Sequence, residues 1–188
     1  MQMLTTDRLI LRNWRDSDWP LFHLINSNDE VMRFFPFRRD RAASDALMQR
    51  LAAGIARDGF GFAAIELRDS GQTAGFAGLH RSEGLPALPP GSIEIGWRLA
   101  PEFWHRGIAS EAARAWLACG FETLGLQRIV SFAVADNVAS LAVMHRIGMR
   151  RRPDLDFDHP GVPASHPHLR HHAFCEITAA QWAKQNDG

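Results

Sequence analysis

The stretch from 93 to 114 changes its hydrophobic period halfway along, and this change constrains the fold more than any other feature of the chain. Apolar side chains alternate with Glu94, Gly96 and Arg98 as far as Leu99, which predicts a strand with one packed face. From Ser110 onward, apolar residues recur at helical spacing. The sequence therefore predicts a strand that ends near 99, a corner, and a helix over 110–124.

The corner over 105–110 has the features of an anion site. Amides at the start of a helix have no partner within the helix, and the helix dipole adds positive potential there. Gly107 and its small neighbours allow close approach of a pyrophosphate, and His105 and Arg106 add positive charge. The Walker lysine and the GxGxxG fingerprint are missing, which disfavours a nucleotide triphosphatase and a Rossmann dehydrogenase. Any strand-to-helix corner with a glycine would look similar, so this pattern alone leaves the function open.

Four short motifs resemble the GCN5-related N-acetyltransferases, the GNAT family, and they occur along the chain in that family's order. The run WHRGIASEA, which begins at Trp104, resembles motif A of that family. The opening TDRLILR at 6–12, DNVAS at 136–140 and IGM at 147–149 resemble the branch of the RimJ/RimL ribosomal-protein alanine N-acetyltransferases. Trp104 stands where the wider family has Gln or Arg, a substitution familiar in that branch. The resemblance covers residues 3 to 183.

The resemblance implies a GNAT-like α+β fold with a mixed, mostly antiparallel central sheet of about seven strands. Helices flank this sheet, and its fourth and fifth strands splay apart to admit a cofactor. The periodicities agree with this order of elements, and we expect a single domain over 1–188 because no repeat or linker is present. The patterns further predict helices over 28–35 and 40–57, a hairpin of 60–67 with 73–80, a loop over 84–90 and a long irregular segment over 153–170.

Composition limits the partners. The 21 basic and 21 acidic residues cancel, so no nucleic-acid-binding field is expected. No signal pattern and no apolar run of membrane-spanning length occur, which favours a cytoplasmic protein that does not bind a membrane. Cys119 and Cys175 are isolated and are predicted to be buried thiols. A homodimer is possible.

The resemblance implies acetyl-CoA as cosubstrate and an amine as acceptor. The strand backbone at Trp97 and Leu99 would lie beside the pantetheine arm and help polarise the thioester. Asn137 is a further cofactor candidate, although an Asn that caps a helix would look the same. The pyrophosphate would be held by the corner residues His105, Arg106, Gly107, Ile108, Ala109 and Ser110.

Acetyl transfer to an amine needs a base for the amine proton and an acid for the departing thiolate. Many family members place a tyrosine four residues before the glycine of their G-F motif, but this chain has no tyrosine and has Met144 at that position. Ser140 is the best remaining acid, unless its hydroxyl only bonds a backbone carbonyl. Glu94 is the preferred base, because a partly buried carboxylate can be tuned upward. It could instead be solvated, and Asp156, Asp158 and His159 compete with it.

The acceptor itself is open between a protein N-terminus and a small amine, attacked directly in a ternary complex. The resemblance places the first helices along the acceptor groove, which makes Phe35 and Arg38 candidates for its selection, although clustered phenylalanines are more often core. Asp158 and His159 are candidates because the 153–170 segment could fold over the acceptor.

No metal is expected, despite the aspartates and histidines of the 154–172 segment. A calcium loop of the DxDxDG kind would need glycine and glutamate where the chain has His159 and Ser165, and no CxxC or HExxH spacing for zinc occurs. A hydrolase with a serine nucleophile is disfavoured by the lack of GxSxG. The missing tyrosine keeps one rival open, a noncatalytic acyl-CoA-binding module of the same fold.

Overall fold

The computed structural model describes residues 4–82, 85, 88 and 91–186. The predicted loop over 84–90 therefore lies almost wholly outside the described residues. The helices are α1 (Trp19–Ser27), α2 (Arg41–Asp58), α3 (Ile108–Ala118), α4 (Val138–Arg146) and α5 (Ala179–Asn186). The strands are β1 (Leu4–Thr5), β2 (Leu9–Arg12), β3 (Phe62–Leu67), β4 (Thr73–Arg81), β5 (Ile93–Leu99), β6 (Arg128–Val134), β7 (Arg150–Arg151), β8 (Phe157–Asp158) and β9 (His171–Thr178).

The strands follow the hydrogen-bonded order β1-β2-β3-β4-β5-β6-β9-β7, and β8 pairs with β9. Each described register is antiparallel except that of β5 with β6, which pair in parallel at Glu94 and Val130. This confirms the mixed, mostly antiparallel sheet and fits the predicted splay. Nine strands appear among the described residues instead of about seven, because β1 and β8 are two-residue pairings too short to produce a period.

The chain forms two compact units, each built from two segments. The first consists of Met1–His80 with Gly96–Trp116, and the second of Arg81–Ile95 with Leu117–Gly188. Strand β5 contributes its first residues to the second unit and its last residues to the first. The single domain expected over 1–188 stays a prediction. The first unit buries Leu9, Phe22, Ile25, Ile65, Leu79 and Trp116, and the second buries Ile95, Leu117, Ile129, Met144, Phe174 and Ile177.

Helix α2 confirms the pattern read over 40–57. The carboxylate of Asp40 accepts the amide of Ala43 at 2.8 Å, which caps the helix, and Gly59 ends it with φ 78°. Helix α3 begins two residues earlier than predicted and passes into a π-helical turn at Cys119–Thr123, which ends before Gly125.

The second short helix predicted over 28–35 is wrong, because this segment consists of turns. The side chain of Asn28 accepts the amides of Glu30 and Val31, as a helix cap would. The guanidinium of Arg38 then donates to the carbonyls of Met32, Phe35 and Phe37, which satisfies carbonyls that a helix would otherwise use.

Gly75 allows β4 to approach the end of β5 closely. Its φ is +150°, and a Cβ at this position would lie 2.2 Å from the carbonyl oxygen of Arg98 and 2.7 Å from the Cα of Leu99. The β3–β4 register shifts beside it, between Ile65 and Glu66. This close approach fixes the backbone from which Arg98 projects.

The 153–170 segment is more ordered than its sequence suggests. It contains β8 and two 3-10 turns, Pro153–Leu155 and Pro167–Leu169. The carboxylate of Asp156 accepts the amide of Phe174 at 2.9 Å and pairs with Arg151, which ties the segment to β9. No helix within the described residues is long and apolar enough to cross a membrane.

Candidate active site

The corner after β5 is made by a 3-10 turn and two residues with positive φ. The turn at Pro101–Phe103 closes with the amide of Trp104 donating to the carbonyl of Pro101. His105 and Gly107 then have φ values of 58° and 76°, which reverse the chain into α3. The indole of Trp104 donates to the carbonyl of Leu99 at 3.0 Å. Tryptophan at this motif position therefore fastens the corner to the end of β5.

The corner presents backbone outward. The first α-helical bond runs from the amide of Glu111 to the carbonyl of Gly107 at 3.0 Å, so the preceding amides belong to the first turn, where helical geometry provides no partner within the helix. The side chains of Ile108 and Ser110 are buried, whereas His105, Arg106 and Gly107 are exposed. Buried side chains anchor the turn, and the exposed residues form a rim that a phosphate group could reach.

A brace from the N-terminal motif holds this corner, and sequence reasoning missed it. The guanidinium of Arg8 donates to the carbonyl of Arg106 at 3.1 Å and to the carboxylate of Glu111 at 2.6 Å. The hydroxyl of Thr6 donates to the same carboxylate at 2.6 Å. Burial raises the pKa of Glu111, but the hydrogen bonds from Thr6 and Arg8 lower it by more, so the carboxylate stays charged. The Thr-x-Arg motif and a Glu in the first turn of α3 were the available signals.

Glu94 lies in β5 without a cationic partner among the described residues. Burial raises the pKa of its carboxyl to about 7, and a hydrogen bond from Ser82 opposes this shift. Ser82 is itself buried and held by its amide, which donates to the carbonyl of Ser92 at 2.9 Å. A carboxyl with this pKa can accept a proton near neutral pH, as a general base must. Ser82 could be recognised as its partner only in the structure.

Asn137 and Ser140 lie at the start of α4. The side chain of Asn137 accepts the amide of Ser140 at 3.2 Å, so it caps the helix, as its position predicts. Ser140 is half-buried. Met144, at the position of the family tyrosine, is buried and has no proton to donate. The missing acid is thus not replaced at that position.

Two acceptor candidates lie in the turns after α1. The guanidinium of Arg38 pairs with Asp29 at 2.8 Å and donates to four backbone carbonyls, so its hydrogen-bonding capacity is used within its own loop. Phe35 is half-buried and stacks under the guanidinium of Arg98, which lies 4.3 Å from its ring centroid. Arg98 and Phe35 thus come together, whereas Arg38 stabilises the loop.

The other two acceptor candidates belong to the second unit. His159 forms a ring cluster with Phe157, Phe132 and His172, with the two histidine centroids 5.0 Å apart. Burial lowers the pKa of His159, so it is neutral at pH 7. Asp158 is exposed and lies 3.5 Å from a ring nitrogen of His171. Within the described residues, no group of three His, Cys, Asp or Glu side chains could hold a metal ion.

Comparison with known proteins identifies the class. Residues 8–150 match the acetyltransferase (GNAT) domain family, and the chain therefore belongs to the GNAT family. The chain is similar to the uncharacterized N-acetyltransferase YoaA of Bacillus subtilis, with 33% identity over 151 residues, which are 79% of this chain and 83% of YoaA. The protein is thus an acyltransferase.

Solved structures agree on the fold. A GNAT-family acetyltransferase from Bacillus anthracis superposes with a TM-score of 0.79 at 24% identity, covering 95% of this chain and 99% of that one. A ribosomal-protein-S5-alanine acetyltransferase from Vibrio fischeri superposes with a TM-score of 0.73 at 14% identity, covering 97% and 99%. At these identities the similarity concerns the fold alone.

Proposed function

We propose that this protein is an acetyl-CoA-dependent N-acetyltransferase that acetylates a primary amine, at a protein N-terminus or on a small molecule. The observation that carries this proposal is the braced corner, which offers first-turn amides at Gly107 and the following residues behind an exposed rim. Membership of the GNAT family supports the same conclusion. The RimJ/RimL-like branch is supported by the N-terminal motif and by Trp104 at its motif position.

In this proposal, acetyl-CoA is a cosubstrate held mainly by backbone. The pyrophosphate lies on the 105–110 corner, with Arg106 and His105 adding charge at its rim. The pantetheine arm lies along the backbone of Trp97 and Leu99. Asn137 contributes by holding the start of α4.

The reaction is a direct attack within a ternary complex. The amine nitrogen forms a bond to the thioester carbonyl carbon, and the carbon–sulfur bond then breaks. Glu94, whose pKa is raised to about 7, receives the amine proton, directly or through water. The hydroxyl of Ser140 donates a proton to the departing thiolate and takes a proton back from water. Asp158 and His159 are proposed to contact the acceptor.

Replacement of Gly107 by Glu tests the corner. A side chain at φ 76° is strained, and a carboxylate there repels phosphate, so we expect acetyl-CoA affinity to fall by about 100-fold or more. Isothermal calorimetry measures this loss. Gly71→Glu is the matched control, because Gly71 has φ 70° and open space around it in the β3–β4 turn. Equal affinity in both variants would refute the assignment.

Thiol release distinguishes the enzyme from a noncatalytic acyl-CoA-binding module. Free CoA thiol is measured with acetyl-CoA and a panel of amines, with and without each amine. Amine-dependent release supports the transferase, whereas tight acetyl-CoA binding without release under any amine supports the binding module.

Ser140→Ala tests the acid. Loss of a proton donor acts on the transition state, so kcat should fall while the acetyl-CoA Kd stays unchanged. Asn137→Ser is the control for helix α4, because serine preserves the cap and should leave kcat near the original value. An equal loss of affinity and turnover in Ser140→Ala would contradict the assigned role.

A further inference from the structure

Two arginines of the first unit each donate a hydrogen bond to Asn26, and neither has an acidic partner among the described residues. We call Arg39, which precedes α2, and Arg98, on β5, the guanidinium pair. Among the described residues, neither has a carboxylate within salt-bridge distance, whereas the buried Arg12 of the same unit pairs with both Asp18 and Glu66. Burial lowers the pKa of Arg98 to about 10, and repulsion from the charge of Arg39 adds to this shift.

Arg98 is held in one orientation by neutral groups. One nitrogen, Nη1, donates to the side-chain oxygen of Asn26 at 2.7 Å, and Asn26 is fully buried and donates in turn to the carbonyl of Phe22. The guanidinium lies 4.3 Å from the ring centroid of Phe35 and 5.3 Å from that of Phe76. These contacts fix the plane of the guanidinium but do not neutralise its charge.

Arg39 is anchored to the same asparagine through its backbone. Its amide donates to the carbonyl of Asn26 at 3.0 Å, and its guanidinium lies 4.6 Å from the ring centroid of Phe37. Its Nε is buried and has no hydrogen-bond partner. Burial, followed by the charge of Arg50, lowers the pKa of Arg39.

This arrangement is costly in the free protein. Two like charges are partly removed from water, and a buried donor is left without an acceptor, each of which destabilises the fold. A planar anion would relieve both costs at once, because it would accept from the unused guanidinium donors and cancel the repulsion. Stacking on aromatic rings orients the two guanidinium groups in advance.

We propose that the guanidinium pair binds a carboxylate, and that the acetyl acceptor carries it. The second clause rests on the proposed function: Arg98 follows Trp97, whose backbone is assigned to the pantetheine arm, while the phosphates of CoA are assigned to the 105–110 corner. The acceptor is therefore an amine that also has a carboxylate group, such as an amino acid or a short peptide with a free C-terminus.

Matched acceptors test the inference by turnover. Acetyl transfer is measured for 4-aminobutyrate and for dipeptides with free C-termini, each against its C-terminal amide. We expect kcat/KM to be about 50-fold higher for the acids, because a charge-assisted bidentate pair is lost in the amides. Arg39→Gln and Arg98→Gln should remove most of this difference through KM, with amide acceptors changed less than about twofold.

Arg33→Gln is the matched control, since Arg33 is exposed in the same loop and lies 4.9 Å from the ring centroid of Phe34. It should retain the preference for acids. Equal rates for acids and amides in the unmodified protein would overturn the inference, as would an equal loss on both acceptor types in the two variants.

A binding measurement separates this inference from the proposed function. Glutarate and glutaramide are titrated calorimetrically in the presence of CoA. If no amine is acetylated but glutarate binds the unmodified protein and not Arg39→Gln or Arg98→Gln, the carboxylate site stands and the transferase proposal fails. If acetylation proceeds but glutarate fails to bind and acids have no advantage, the carboxylate site fails alone.

Discussion

Strands β2 and β5 both carry charged side chains into the protein. Those of β2 are paired with opposite charges, whereas those of β5 are not paired within the described residues. On β2, Arg12 pairs with Asp18 at 2.7 Å and with Glu66 at 2.5 Å, and Thr73 donates to Asp18 at 2.8 Å. Burial opposes the charge of both Arg12 and Asp18, but their hydrogen bonds and ion pairs together outweigh it. The pKa of Arg12 is therefore raised and that of Asp18 is lowered.

On β5 the pKa shifts have the opposite directions, with the acid raised and the arginine lowered. Burial raises the pKa of Glu94 to about 7 and lowers the pKa of Arg98 to about 10, and no opposite charge pairs with either within the described residues. A buried charge that loses its partner destabilises the fold strongly, because it is left uncompensated away from water. The charges of β2 therefore depend on one another in the folded protein, whereas we propose that those of β5 serve a substrate.

The largest expected effect comes from breaking the β2 network. Asp18→Asn leaves Arg12 buried with half of its compensation, and we expect the free energy of unfolding to fall by about 3–5 kcal/mol. Urea denaturation measures this loss. Arg15→Gln is the control, because Arg15 reaches the same Glu66 from an exposed position and should cost less than about 1 kcal/mol. Equal losses would remove the distinction between the two strands.

The Glu94→Gln variant tests the role of the Glu94 carboxylate through the pH dependence of the reaction rate. If Glu94 is the base, kcat/KM of the unmodified protein rises with pH to a plateau above about 7, following ionisation of this carboxyl. The Gln variant should lose about 100-fold on that plateau and lose the rise itself. A variant that keeps the same pH profile would assign the base elsewhere, with Asp156, Asp158 and His159 as the remaining candidates.

The same variant should be more stable than the original at neutral pH. The folded protein keeps the proton of Glu94 between pH 4.5 and about 7, where the unfolded chain has released it. The stability that the protonated form confers is thus fully present below pH 4.5 and is lost as pH rises through about 7. The free energy of unfolding falls over this range by an amount on the order of 3 kcal/mol. Glu94→Gln removes this loss, which urea denaturation at pH 5 and pH 8 can detect.

The contrast between the strands also shows what could be predicted from the sequence. Period and turn residues predicted β5, α2 and the 105–110 corner, because these depend on local patterns. The helix over 28–35 was wrongly predicted, because side-chain bonds from Arg38 compete with helical ones there. Partners distant in the chain, such as Ser82 for Glu94 and Asn26 for Arg98, leave no periodic signal, since only folding brings them together.

The ion pair of Glu111 with Arg8 can be compared with the pairs on β2, because it lies beside the corner that is proposed to bind phosphate. Glu111→Gln keeps an oxygen for Thr6 but loses the ionic bond to Arg8, which also donates to the carbonyl of Arg106. The corner should loosen, and we expect acetyl-CoA affinity to fall by about three- to tenfold. Calorimetry measures this change. Asp45→Asn is the control, since it breaks an exposed i,i+4 pair on α2 and should leave affinity unchanged.

The smallest expected effect comes from Ser82, which sharpens the account of Glu94. Its hydroxyl stabilises the charged carboxylate and so lowers the raised pKa of Glu94. Ser82→Ala removes that bond, and the rise of kcat/KM with pH should move to higher pH by about half a unit, with the plateau rate nearly unchanged. A shift to lower pH, or a fall in the plateau without any shift, would mean that the hydroxyl of Ser82 does not tune the base, since the variant keeps the amide that donates to the carbonyl of Ser92.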